Sequence, residues 1–96
     1  AGAIGLMQVM PETGEFFKAK DLTNVDENIR TGVRLLKFLD DNWKKTIDDE
    51  EQRVKFVLAS YNAGLGHVLD ARNLAKKYGY NPTVWDDQVE AFMTRK

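Results

Sequence analysis

The sequence contains no cysteine and a single histidine. Without cysteine the chain forms no disulfide, carries no thiolate nucleophile and offers no cysteine ligand for zinc. The histidine, His67, lies in no HExxH pattern, so a zinc site and nucleophilic triad chemistry are both disfavoured. We therefore expect neither a metal ion nor a cofactor.

The chain also lacks an excess of charge of either sign and any long apolar run. Fourteen Lys and Arg residues oppose fifteen Asp and Glu residues, which gives a net charge of -1 and argues against a dedicated nucleic-acid binder. Apolar runs such as residues 56–59 are far shorter than the roughly 20 residues that cross a bilayer, so no membrane span is expected. Residues 1–5 resemble no signal peptide. The composition, 43% hydrophobic and 30% charged, is typical of one globular domain.

Hydrophobic periodicity predicts a mainly helical chain. The first helix covers Asp26–Trp43 and the second covers Asp49–Asn62. Each has apolar residues at helical spacing that we expect to face the core: Ile29, Val33, Leu36, Leu39 and Trp43 in the first, and Val54, Val57, Leu58 and Tyr61 in the second.

Two more helices are predicted after Gly64. One covers Leu65–Tyr78 and ends before Gly79, with Val68, Ala71, Ala75 and Tyr78 on one side. The other covers Thr83–Thr94, where Thr83 and Asp86 have the spacing of a capping box. The segment Ile4–Val9 is β-capable but short, and periodicity leaves a strand, a turn and a loop open.

Two segments are not explained by helix packing: residues 2–11, GAIGLMQVMP, and residues 59–64, ASYNAG. Together they resemble the GxxGLMQ(V/I)MPxT and A-x-YNAG signatures of lytic transglycosylases with the goose-lysozyme-like fold. Asn28, Ile29 and Gly32 are similar to that family's NIxxGxxYL helix, with Leu35 where an aromatic residue is more usual. Residues 66–72 and the tail from Lys77 to Trp85 are similar to its membrane-bound transglycosylase F branch.

The resemblance implies a fold, an activity and a location. The fold is a mainly α, lysozyme-like helical domain with at most a small β element near Ile4–Val9. The activity is cleavage of the β-1,4 bond between N-acetylmuramic acid and N-acetylglucosamine in peptidoglycan, which forms 1,6-anhydromuramic acid without consuming water. The partner is therefore a peptidoglycan glycan strand, and the location is the bacterial cell envelope, in the periplasm.

The family's catalytic glutamate lies in an E-S dipeptide on a helix upstream of the GLMQ segment, and this chain begins at Ala1. We therefore expect residues 1–96 to be a transglycosylase SLT-like domain that lacks the catalytic-glutamate helix, so that the chain holds no catalytic residue and is inactive by itself. Glu12 and Glu15 are the nearest carboxylates to the segment. Following Pro11, they are expected to lie on the first turn of a helix and not to serve as the acid.

The resemblance implies four substrate-binding residues: Met7, Gln8, Tyr61 and Asn62. Each also has a structural interpretation. Met7 fits core packing, and the Gln8 amide fits hydrogen bonding to backbone groups of the turn. Tyr61 fits a core tyrosine with its hydroxyl at the rim, and Asn62 fits a residue that ends its helix in left-handed geometry or holds the following turn.

Other conspicuous residues are expected to be structural. Trp43 and Trp85 fit the core, His67 fits the start of a helix, and the acidic run Asp48–Glu51 fits a solvated helix entry. Two rival functions stay open: a non-catalytic glycan-binding or scaffolding module, and a helical protein-interaction domain. The second rival does not explain the GLMQ and YNAG segments.

Overall fold

A computed structural model describes residues 2–93 of the chain. Within them it has four α-helices, α1 (Pro11–Phe16), α2 (Val25–Trp43), α3 (Glu50–Ala63) and α4 (Leu65–Lys77), followed by a 3-10 helix at Val89–Phe92. The only β interaction among these residues is an isolated antiparallel bridge between Ile4 and Val9. The predicted mainly α fold with a small β element is confirmed. No described helix is both long and apolar enough to span a membrane.

Local signals set the ends of the three long helices close to the predicted positions. The side chain of Asp49 accepts a hydrogen bond from the Gln52 amide (3.3 Å) at the start of α3, as an N-cap does. At the other end, Gly64 has a φ of +102°, which stops the helix because only glycine adopts this region freely. The helix α4 ends one residue before Tyr78, with Lys76 and Lys77 in its last turn.

The prediction of a long final helix over Thr83–Thr94 is wrong. Residues 83–88 form turns, and only Val89–Phe92 is helical, as a 3-10 helix; Thr94 lies outside the described residues. Asn81 explains the turn, because its Oδ1 accepts hydrogen bonds from both the amide (2.9 Å) and the hydroxyl (2.8 Å) of Thr83. The Thr83 hydroxyl that was expected to cap a helix thus bonds backwards along the chain.

The other member of the expected capping box is also occupied elsewhere. Asp86 forms an ion pair with Lys55 of α3, and this pairing raises the pKa of the Lys55 ammonium. Asp87, the next residue, has a φ of +62°, which interrupts any helix. The spacing of Thr83 and Asp86 matches a capping box, but Thr83 bonds to the nearby Asn81 and Asp86 pairs with Lys55 of α3.

The buried face of α2 differs from the predicted one in its first half. Ile29 and Val33 are 39% and 53% exposed, whereas Asn28, Thr31 and Gly32 are buried. In the second half of the helix the prediction is confirmed, since Leu39 and Trp43 are almost fully buried.

A similar rotation applies to α3. Val54 and Leu58, expected in the core, are half exposed, and the buried residues are Phe56, Val57 and Ser60. The reason is that apolar residues lie on more than one side of this helix, so spacing alone does not single out the face that packs. On α4 Val68, Ala71 and Ala75 are buried as predicted. Tyr78, predicted on the same side, follows the end of the helix and is 61% exposed.

The chain divides into two compact units, Ala1–Phe38 and Leu39–Lys96. The first unit contains the Ile4–Val9 segment, α1 and the part of α2 up to Phe38. Its aromatic cluster joins Phe16, Phe17 and Phe38, whose ring centroids are 4.9 to 6.1 Å apart in edge-to-face arrangements.

The core of the second unit is built around Phe56 of α3. The Phe56 ring lies 5.0 Å from Trp43 and 5.2 Å from Trp85, so the expectation that both tryptophans pack in the interior is confirmed. The helix α4 packs against α3 and against the 3-10 helix. Arg53 connects α3 to the end of α2, because its Nε donates to Asp40 Oδ1 (3.0 Å) and its guanidinium also donates to the Ile47 carbonyl (2.9 Å).

Candidate functional site

The segment Ile4–Val9, here called the GLMQ loop, is a closed turn. Ile4 and Val9 exchange two backbone hydrogen bonds of 2.9 Å at its base, and the Gln8 amide donates to the Gly5 carbonyl (3.1 Å) across it. Gly5 and Gln8 have positive φ values of +75° and +50°. A left-handed conformation is ordinary for glycine but costs about 1 kcal/mol for a side chain such as that of Gln8. The loop therefore holds Gln8 in a geometry that the residue does not prefer.

The side chain of Gln8 is exposed and also bonded within the loop. Its Nε2 donates to the Gly5 carbonyl at 2.8 Å, so this carbonyl accepts from both the backbone and the side chain of Gln8. This agrees with the structural interpretation of the amide as a partner of the turn. Because the bond fixes the direction of an exposed amide, it is equally compatible with a role in recognition.

Met7 rests directly on α2. A Cβ added at Gly32 would lie 2.7 Å from Met7 Cβ and 2.8 Å from Met7 Cε, which is closer than carbon atoms approach in folded proteins. Position 32 thus accepts no side chain while Met7 stays where it is. The side chain of Met7 is half-buried, as the core-packing interpretation requires, and its backbone lies in the exposed loop.

Asn28 contacts the candidate site, and the sequence motifs did not reveal this contact. It is 1% exposed, and its side chain contacts the GLMQ loop by hydrogen bonds to the Met7 amide (2.9 Å) and the Ile4 carbonyl (2.7 Å). A Cβ at Gly5 would lie 2.5 Å from Asn28 Nδ2, so glycine is needed for this approach. The available signal was the resemblance of Asn28, Ile29 and Gly32 to one family helix, which suggested no specific contact.

Tyr61 and Asn62 lie at the carboxyl end of α3. The helix continues through Asn62 to Ala63, and the left-handed residue that follows is Gly64, so the left-handed interpretation of Asn62 is wrong. Asn62 is exposed and Tyr61 is half-buried. Burial raises the pKa of the Tyr61 hydroxyl above its usual value, because the charged form loses solvation. Like any tyrosine, Tyr61 carries its hydroxyl proton at neutral pH and is a hydrogen-bond donor.

A buried hydrogen bond fixes the rotation of α3 just before Tyr61. The indole Nε1 of Trp43 donates to Ser60 Oγ at 2.9 Å, and both residues are buried. Because side chains on a helix have fixed angular offsets, anchoring Ser60 also sets the direction in which Tyr61 and Asn62 project. His67 lies in the first turn of α4 and is exposed, at the position expected for a residue without a catalytic role.

The carboxylates nearest the GLMQ loop lie where the sequence predicted. The helix α1 begins with Pro11 at its first position, and Glu12 and Glu15 are exposed on it. A general acid for glycoside cleavage needs a buried or negatively charged environment that holds its proton. Glu12 and Glu15 are exposed, so neither lies in a buried environment of this kind.

The four predicted substrate-binding residues are two pairs of neighbours in the sequence. Met7 and Gln8 lie on the GLMQ loop of the first compact unit, and Tyr61 and Asn62 lie at the end of α3 in the second. The substrate-binding role of these four residues stays a prediction.

Comparison with known proteins gives a consistent result. The sequence model of the family described as "Transglycosylase SLT domain" matches residues 1–84. Similar proteins named membrane-bound lytic murein transglycosylase F include one from Haemophilus influenzae strain PittEE, 37% identical over 86 residues, and one from Pasteurella multocida strain Pm70, 40% identical over 86 residues. A third, from Shewanella frigidimarina, is 40% identical. Each match covers 90% of this chain but only 17% or 18% of the relative.

Proposed function

The chain belongs to the transglycosylase SLT domain family, and on that premise we propose that it forms the glycan-contacting part of a peptidoglycan lytic transglycosylase. The family match extends over residues 1–84 and includes both the GLMQ loop and the YNAG segment. The substrate of this enzyme is the β-1,4 bond between N-acetylmuramic acid and N-acetylglucosamine, and the product carries 1,6-anhydromuramic acid.

One observation carries the assignment of the contact surface. Gln8 has a left-handed φ of +50°, and its exposed side-chain amide is held by the Gly5 carbonyl. Unfavourable backbone geometry that the surrounding structure enforces is concentrated at functional sites. A carboxamide donates and accepts at once, which suits the hydroxyl and N-acetyl groups of a glycan. Met7 beside it offers a half-buried, polarizable thioether to the same sugar.

The second part of the contact surface is the end of α3. Tyr61 provides a half-buried hydroxyl that is protonated at neutral pH, and such a donor stabilises negative charge that develops on a substrate oxygen. Asn62 next to it is exposed and offers an amide to the glycan.

Cleavage requires a carboxylic acid that donates a proton to the leaving oxygen. The same group, as a carboxylate, then accepts the proton of the muramic acid 6-hydroxyl as its oxygen closes on the anomeric carbon. Glu12 and Glu15 are exposed and do not suit this role. The resemblance of the GLMQ segment to the family signature implies that the acid lies outside residues 1–96, on a helix upstream of the GLMQ loop.

The proposed partner and location follow from the substrate. Peptidoglycan glycan strands lie outside the inner membrane, so the site works in the periplasm of the bacterial envelope. The related proteins from Haemophilus and Pasteurella are named membrane-bound, and this part of the proposal rests on the same family membership.

Titration of the 96-residue chain with chitooligosaccharides, followed by amide NMR, tests the proposal. We expect the resonances of Gln8 and Tyr61 to shift together. Gln8→Ala and Tyr61→Phe each remove one hydrogen-bonding group and should weaken binding about five- to thirtyfold. The matched control is Tyr78→Phe, which removes the same hydroxyl from an exposed tyrosine at the end of α4 and should leave the affinity unchanged.

The outcomes that contradict the proposal are distinct for its two parts. Shifts confined to residues far from both segments, or equal losses in Tyr61→Phe and Tyr78→Phe, would refute the contact surface. Release of 1,6-anhydromuropeptides from purified peptidoglycan by residues 1–96 alone would refute the placement of the acid outside them.

A further inference from the structure

The side chain of Asn28 joins three separate stretches of backbone. Its Oδ1 accepts from the Met7 amide (2.9 Å), and its Nδ2 donates to the carbonyls of Ile4 (2.7 Å) and Leu22 (3.0 Å). Ile4 and Met7 belong to the GLMQ loop, and Leu22 belongs to the segment that precedes α2. One buried amide therefore ties the start and the middle of the loop to the beginning of a long helix.

The chemistry of this position is specific to a carboxamide on a short side chain. Three backbone partners need one acceptor and two donors, and asparagine supplies them from one planar group. Aspartate has the same size but no donor when ionised, and leucine has neither donor nor acceptor. Since Asn28 is buried, its own side chain has no water to replace a protein partner that is lost.

A glycine beside Asn28 leaves the space that its carboxamide occupies. Gly5 has no Cβ, and a Cβ there would overlap the Asn28 carboxamide at 2.5 to 2.9 Å. One turn further along α2, Gly32 leaves room for Met7 in the same way. The loop is thus held from two sides, by polar contacts at Asn28 and by close packing at Gly32.

We infer that Asn28 is a positioning residue for glycan binding. By fixing the Ile4 carbonyl and the Met7 amide, it holds the GLMQ loop in the conformation that presents Met7 and Gln8 to the sugar. The inference rests on the proposed function for the identity of the ligand, while the effect on the loop is measured without any ligand.

The test uses Asn28→Asp in the 96-residue chain, with Thr31→Val as the matched control. Thr31 is also buried on α2, but its hydroxyl donates to the Glu27 carbonyl of its own helix (2.8 Å). Asn28→Asp keeps an acceptor for the Met7 amide but loses both donor bonds, to the Ile4 and Leu22 carbonyls. We expect hydrogen exchange of the Met7 amide to accelerate by about tenfold, because the loop opens more often without these two bonds. Exchange of core amides of the second unit, such as that of Val68, should not change.

The sugar measurement follows on the same variants. The affinity for a chitooligosaccharide, read from the Gln8 amide, should fall about tenfold in Asn28→Asp and stay unchanged in Thr31→Val. Gly5→Ala is the second variant, since its Cβ displaces the same carboxamide while Asn28 is kept; it should reproduce both effects even if Asn28→Asp does not fold.

Three results separate the possibilities. Wild-type exchange of the Met7 amide in folded Asn28→Asp or Gly5→Ala would overturn the inference. Faster exchange with unchanged sugar affinity would overturn it as well, because the anchored loop would then not matter for binding. A wild-type chain that binds no chitooligosaccharide would contradict the proposed function, and Met7 exchange would still decide whether Asn28 fixes the loop.

Discussion

The close packing of Met7 against α2 predicts the effect of replacing Gly32. In the interior of a helix, replacing glycine by alanine stabilises a protein by about 1 kcal/mol, because glycine loses more backbone freedom on folding. At Gly32 the added Cβ would lie 2.7 Å from Met7 Cβ, an atom that moves only if the loop backbone moves. Overpacking of this kind costs about 1–3 kcal/mol. The clash should outweigh the propensity gain, so Gly32→Ala lowers the free energy of unfolding by up to about 2 kcal/mol.

The chain offers a matched control at Gly66. This glycine lies in the first turn of α4, and a Cβ there would meet nothing within 4 Å. Gly66→Ala should therefore show the propensity effect alone, a gain of up to about 1 kcal/mol. Urea unfolding of both variants measures the difference, and the Met7 methyl resonance should move only in Gly32→Ala. Equal stabilisation by the two substitutions would refute the contact between Met7 and Gly32.

Two further predictions concern the end of α3. Ser60→Ala leaves the buried indole N–H of Trp43 without its acceptor and should lower the free energy of unfolding by about 1–3 kcal/mol. Trp43→Phe removes the donor, so the two substitutions should be coupled in a double-mutant cycle. A cycle without coupling would count against this bond. The Tyr61 hydroxyl should titrate above the usual tyrosine value of 10.0, since burial raises its pKa. The stabilisation from the protonated Tyr61 hydroxyl is then complete at neutral pH and is lost as the pH rises through the folded-state pKa. NMR titration of the ring measures this pKa, and an ordinary or lower value would contradict the prediction.

Signals confined to one or two turns of chain predicted the long helices well. Asp49, Gly64 and Gly79 mark helix ends through capping and positive φ, which depend on neighbours within a few residues. For that reason the bounds of α3 and α4 agree with the prediction to within a residue. The same kind of signal failed at Thr83, where Asn81 bonds the hydroxyl that a cap would use.

The candidate site divides in the same way. The GLMQ and YNAG segments indicated Met7, Gln8, Tyr61 and Asn62 because their residue types and spacing resemble one family. The sequence did not reveal that Asn28 anchors the loop, since that contact joins residues 21 and 24 positions apart and depends on how the chain returns.

The sequence by itself therefore determined the helical class, the ends of the long helices and the family, because caps, glycines and short motifs act locally. Tertiary structure decided which face is buried in the first half of α2 and in α3. Ile29 and Val33 have the right spacing for a core stripe, yet α2 turns its polar Asn28 and Thr31 inward. The burial of Asn28 is compensated by hydrogen bonds to a loop that folds back onto the helix, and a periodicity of apolar residues contains no information about such polar partners.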